Sequence, residues 1–246
     1  FSLKNDSDII LLTDFLNDTV SLFTYQDNRP WPFTADGYGR TMELKDAAAN
    51  PSLPGSWFEG CIGGSPGAAY SLCMENPLVD EINYNSAPFA DAGDWFELYN
   101  YDNAAVDLSG WTLKDKTGNT FKIPEGTVID GNSYLVFYSD ATKFNTAFPD
   151  VSNKVGPIYF SYDGNGDVIL IYDAAGKIFQ SVGFDDASPY PLTPDGGGTA
   201  LQIVDVEANI NFASNWTESC PEGSPGAAYL TPCGIDIHDN QIEAIA

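Results

Sequence analysis

The string Gly64-Ser65-Pro66-Gly67-Ala68-Ala69-Tyr70 recurs as Gly223 to Tyr229, and the match extends far beyond the string. Phe1 to Tyr70 lies on Phe160 to Tyr229 without a gap, at an offset of 159 residues, with 26 of the 70 positions identical. The identities include Asp8/Asp167, Asp14/Asp173, Pro30/Pro189, Gly39/Gly198, Trp57/Trp216 and Cys61/Cys220. A period this long marks a repeat of domains and not of small solenoid units. It constrains the fold strongly, because whatever one stretch forms the other must be able to form. The first stretch, however, has no counterpart of residues 77–159, which precede the second.

Both stretches read as β-structure. "DIILLTD" and "DVILIYD" are short runs of β-branched and aliphatic residues bounded by Asp, as buried sandwich strands are. Each leads through a turn (Leu16-Asn17-Asp18 or Ala175-Gly176-Lys177) into a second strand, "TVSLFTY" or "IFQSVGF", giving two hairpins. Between the copies stand "PLVDEINYN", "DWFELYN", "GWTLKD", "TFKIP" and "SYLVFYS", separated by Gly, Asn, Asp and Pro clusters. Regular short strands of this kind predict a β-sandwich. One stretch departs from the pattern: Asp140 to Phe148 predicts a short helix, capped by Ser139 or Asp140 and stopped by Pro149.

With 35 acidic against 10 basic residues the net charge is −25. Such a surface lacks the basic footprint of a nucleic-acid binder. No apolar run approaches the roughly 18 residues of a membrane span. The first residue is Phe1, apparently within a strand, so the chain reads as a mature or excised piece of something longer. Four cysteines allow three pairings. Their equivalent places favour Cys61–Cys73 and Cys220–Cys233; a zinc site is the rival, but there is no CxxC and the single histidine, His238, lies in the tail. Disulfides imply an oxidising compartment, outside the cytosol.

"LVDEINYN", "DWFELYNYDNAAVDLSGWTLKD" and "TFKIPEGTVIDGNSYLVF" together resemble the lamin tail domain, an immunoglobulin-like β-sandwich. Its most specific marks here are Trp95 to Asn100 and Leu108-Ser109-Gly110-Trp111-Thr112-Leu113. "PYPLTPDGGGTALQIVD", Asn215-Trp216 and "GSPGAAY" resemble the bacterial extracellular version. The resemblance implies four parts: residues 1–73 as the rear half of one such sandwich, 74–76 a linker, 77–233 a complete copy, and 234–246 a C-terminal tail or linker. It also implies an accessory module of a large secreted or surface protein, of the sort found beside nucleases, spore-coat-type kinases or adhesive repeats. Nuclear lamins use the fold for protein and DNA contacts, and the acidity of this chain argues against the latter.

Nothing in the sequence assembles a catalytic site, because a nucleophilic triad needs a base and His238 has no counterpart in the first copy. "DGNGD" makes Asp163, Asn165 and Asp167 candidate cation ligands, with calcium the one cofactor to consider. The EF-hand pattern fails where Val168 and Ala174 replace its Gly and Glu, and a plain turn explains the string. Trp31 and Tyr190, in "PWP" and "PYP", are candidate glycan contacts, or else plugs at an open end of the sandwich. Asn5, Asn17 and Asn215 head sequons, and Thr19 is a candidate O-glycosylation site. The chain is thus expected to be a non-catalytic structural or adhesive module at the cell surface. The alternative is a glycan- or cation-binding accessory of an extracellular enzyme. If residues 1–73 are half a sandwich, Ile9, Ile10, Leu11, Leu12, Val20, Leu22 and Phe23 should face water. An upstream part of the same protein, or a neighbouring copy, would then complete them.

Overall fold

A computed structural model describes residues 2–229. In chain order the strands are β1 Ser7–Thr13, β2 Thr19–Gln26, β3 Met42–Leu44, β4 Trp57–Glu59, β5 Leu78–Asn83, β6 Trp95–Asn100, β7 Val106–Asp107, β8 Thr112–Lys114, β9 Thr120–Lys122, β10 Val128–Ile129 and β11 Ser133–Tyr138. Helix α1 (Ala141–Ala147) follows, then β12 Lys154–Val155, β13 Val168–Tyr172, β14 Ile178–Gly183, β15 Leu201–Ile203 and β16 Trp216–Glu218. The expected helix is present, and its cap is Asp140, whose carboxylate accepts the Thr142 and Lys143 N–H groups at 2.8 and 2.9 Å.

Two sheets form an immunoglobulin-like sandwich. One runs β12-β11-β6-β5-β15-β16 and the other β14-β13-β8-β9. Their facing residues make the main core, including Val79, Ile82, Phe96, Leu98, Leu113, Phe137, Ile169, Ile171 and Val182. Strand alternation sends Val168 and Leu170 of β13 to the opposite face, and they too are buried. Burial on both faces is why "VILIY" is a continuous apolar run. On the outer side of the larger sheet, Trp95 and Tyr138 pack against Phe144 of α1.

The pairings within residues 7–59 and 167–218 are offset by the same 159 residues as the sequence identities. Ile10 opposes Phe23 and Leu11 opposes Leu22, while Ile169 opposes Val182 and Leu170 opposes Ser181. Each hairpin has its bulge at the matching place, Leu12/Thr13 and Ile171/Tyr172. Met42 opposes Glu59 as Leu201 opposes Glu218. The indole N–H of Trp57 donates to Pro51 O, and that of Trp216 to Ile210 O.

Surroundings separate the two hairpins. β13 pairs on its second edge with β8, whereas β1 and β2 form a two-stranded sheet of their own. Ile9, Leu11, Leu12, Val20 and Leu22 are exposed, as expected. Ile10 and Phe23 are half-buried instead. Phe23 rests against Trp57, ring centroids 5.2 Å apart, so the chain covers part of the hairpin's inner face with its own residues.

Residues 29–75 also pack on the outer side of β14. The Phe33 ring and Thr34 lie over Gly183, leaving no room for a side chain there. The Arg40 guanidinium is buried; it donates to Ser181 O at 2.7 Å, to Gly60 O at 3.1 Å and to both oxygens of Glu75 at 2.8 and 2.9 Å. Arg29 pairs with Asp185, and Phe58 meets Phe212 edge-on at 5.4 Å. Removing one member of a buried ion pair strands its partners, at a cost of about 3–5 kcal/mol. Arg40→Ala is therefore expected to lower the unfolding free energy obtained from urea titration by about that much. Lys116→Ala, which breaks the exposed pair with Asp163, should cost less than about 1 kcal/mol.

Candidate functional site

The most perturbed titratable groups lie on the outer face of the larger sheet. Glu81 of β5 opposes Glu97 of β6 on one side and Gln202 of β15 on the other. A bulge between Val79 and Glu81 brings Asp80 beside them. All four side chains are buried. Strand alternation alone would place Glu81 and Glu97 in water; the loop Gly223-Ser224-Pro225-Gly226 closes over them instead. Ser224 donates its backbone N–H to both oxygens of Glu81, at 3.0 and 3.1 Å, and its hydroxyl at 3.1 Å. The Gly226 N–H donates to Glu97. Gly223, at φ +82°, has no space for a Cβ, which would fall 2.6 Å from Glu81 Oε1 and 2.9 Å from the Trp95 ring. In the first stretch the same loop meets a different carboxylate: Ser65 Oγ donates to Glu43 of β3 at 2.8 Å. The recurring string is thus a carboxylate-capping loop in both places.

Burial pushes the Glu81 carboxyl up to about 8 against the pull of the Ser224 donors. Burial, with the charge of Glu81, pushes Asp80 up, and burial, with the charges of Asp80 and Glu81, pushes Glu97 up as well. Buried carboxyls held by a loop's N–H groups are a structural latch. Among the described residues no group of three or more His, Cys, Asp or Glu is arranged to hold a metal ion, this row included.

Residues 75–186 match the Lamin Tail Domain. This stretch carries one lamin tail domain, an immunoglobulin-like module. The match takes in β5 to β14; β15, β16 and the capping loop lie beyond it. No curated relative matches the chain.

The candidate residues fall in and around this lamin tail domain as follows. Cys61 and Cys73 form a disulfide. Cys220 is within the described residues, and Cys233, its expected partner, lies outside them. Asp163, Asn165 and Asp167 are brought together, but as a hydrogen-bonded turn. Lys116 Nζ sits 2.8 Å from Asp163, holding that carboxyl down at about 2. Asp167 accepts the backbone N–H groups of Lys116, Asp163 and Val168. Any cation would have to displace these donors. Trp31 and Tyr190, far apart in sequence, line one cleft of about 680 Å³ with Trp57 and Phe212. Both rings are buried in its walls, and Tyr190 Oη donates to Gly183 O at 2.7 Å. Asn5, Asn17 and Thr19 are exposed. Asn215 is buried, its amide donating to Asp205 O and accepting from Asp205 N.

The carboxylate row escaped the sequence reading because a Glu at an alternating strand position looks like a solvated one. The signal available was the coincidence of Glu81 and Glu97 in neighbouring strands with a loop of small residues and free N–H groups. A carboxyl whose pKa rises on folding takes up a proton in the folded state. Its contribution is complete below about pH 4.5, the ordinary value, and is lost as pH rises through about 8. Through Glu81 alone, stability should therefore fall across that window by up to about 1.4 kcal/mol per pH unit. Glu81→Gln keeps an acceptor for Ser224 and should remove one proton's worth of the slope in urea unfolding measured from pH 5 to 8.

Proposed function

We propose that the chain is a non-catalytic structural or adhesive module of a larger secreted or cell-surface protein of bacterial type. In this reading residues 77–233 are a complete lamin tail domain, residues 1–73 are the rear half of another, 74–76 join them, and 234–246 is a tail. The carrying observation is the pair of hairpins with one register and one bulge position but opposite exposure. β13–β14 is enclosed by a front half, and β1–β2 is not. The inner face and free edge of β1 are then completed by an upstream part of the same protein or by a neighbouring copy. The Cys61–Cys73 disulfide supports an oxidising location. The net charge of −25 supports a role without nucleic acid.

In dilute solution the amides of Ile9–Phe23 should exchange faster than those of Val168–Val182, on the order of a hundredfold or more. Equal protection in a monomer would remove the half-sandwich reading. Calcium should be dispensable: chelation is expected to leave the thermal midpoint where added salt alone leaves it. A larger fall would make the Asp163–Asp167 turn a cation site.

One observation favours a second reading, an accessory binding module. The cleft that joins Trp31 and Tyr190 also holds Arg29 and Lys45 at its wall. Specific signals on a glycan array, lost in Trp31→Ala, would transfer the function to that cleft.

A further inference from the structure

Within the chain, the outer face of β13–β14 is covered by the loop Phe33 to Arg40. Phe33 and Thr34 lie over Gly183, Gly39 approaches Ile178, and Arg40 reaches Ser181. Each side of this contact has a counterpart 159 residues away; the hairpin face is open, and the loop is open at its Leu192 end. On the hairpin side, Ile9, Leu11, Val20 and Leu22 form one apolar face, 55–63% exposed, at the positions of Val168, Leu170, Phe179 and Ser181. On the loop side, the counterpart of Phe33 is Leu192, 62% exposed.

We infer that the outer face of β1–β2 is a docking surface for the Leu192–Thr199 loop of a second copy of this chain, repeating head to tail the contact made within one chain. This inference rests on the reading of residues 1–73 as a second rear half. The sizes compensate: where Phe33 lies over Gly183, the smaller Leu192 meets the larger Thr24. A contact of one patch with a different patch is heterologous, so it propagates from copy to copy into a ring or an open array. It is weaker than the contact inside the chain for two reasons. Thr199 stands where Arg40 stands, and its hydroxyl is buried without a partner. Each copy also carries a net charge of −25, so association strengthens as salt screens the repulsion.

The test uses the whole chain in sedimentation equilibrium at low salt and at about 0.5 M salt. The parent chain is expected to gain mass with concentration, more steeply at high salt. Leu11→Lys and Leu192→Asp alter exposed side chains, and each alone should weaken association at least tenfold. Mixed one to one, the two variants should form a heterodimer and nothing longer, since each retains one intact patch. A monomeric parent at the highest soluble concentration would overturn the inference. So would association of Leu192→Asp equal to the parent's, which would mean that hairpins pair with each other, or a mixture that stays monomeric. None of these outcomes touches the half-sandwich reading, which hydrogen exchange in the dilute monomer decides separately.

Discussion

Arg40 spends its donors on Ser181 O, Gly60 O and the Glu75 carboxylate, with its guanidinium removed from water. β14 is an edge strand, and an uncovered edge presents unpaired carbonyls and N–H groups to any passing strand. Arg40 satisfies one of those carbonyls, and Asn211 shares it at 3.1 Å. The Asn211 side chain also accepts the Gly183 N–H at 3.0 Å. The seam between residues 29–75 and the lamin tail domain is built outward from this point. Phe33 can lie over β14 only because Gly183 has no side chain, and Phe58 meets Phe212 edge-on. A desolvated guanidinium is stable only with such partners in place, so the two parts of the chain are fixed to each other by one demanding side chain and its neighbours.

The carboxylate latch works by a related economy of polar groups. A β-sandwich can leave the outer face of a sheet in water, and here most of a six-stranded sheet would be. Instead, α1 covers the Trp95 end and the Ser-Pro-Gly loop covers Glu81 and Glu97. Loop N–H groups that would otherwise be solvated are aimed at carboxyls that would otherwise be charged. The glycines are required by contact, with Gly223 pressed against both Glu81 and Trp95. In the first stretch no β5 is at hand, and Ser65 takes Glu43 from the adjacent strand instead.

The strands with strong apolar runs were all legible in the sequence: β1, β2, β5, β6, β11, β13 and β14, together with α1 and its cap. Of the short ones, β8 and β9 were legible from the turns that flank "GWTLKD" and "TFKIP", whereas β3, β4, β7, β10, β12, β15 and β16, of two or three residues each, carry too little periodicity to separate a strand from a loop. The Cys61–Cys73 pairing was readable from the repeat. Ile10 and Phe23 were misjudged as exposed, since nothing local says that Trp57 folds back on the same hairpin. Trp31 and Tyr190 stand at equivalent positions of the repeat, but only packing reveals that they share a cleft with their rings in its walls.

The sequence by itself determined that this chain is a disulfide-bearing, acidic β-sandwich protein with a lamin tail domain. It also determined that residues 1–70 and 160–229 must offer the same strands and turns. These properties are local: apolar alternation, turn residues, and a glycine wherever a loop must pass close. Only the tertiary structure decided what covers each copy of the hairpin. Val168 and Ile9 occupy matching positions in matching registers, yet one is buried and the other is open to water. Burial depends on which distant surfaces meet, and two equal local patterns cannot encode two different neighbours.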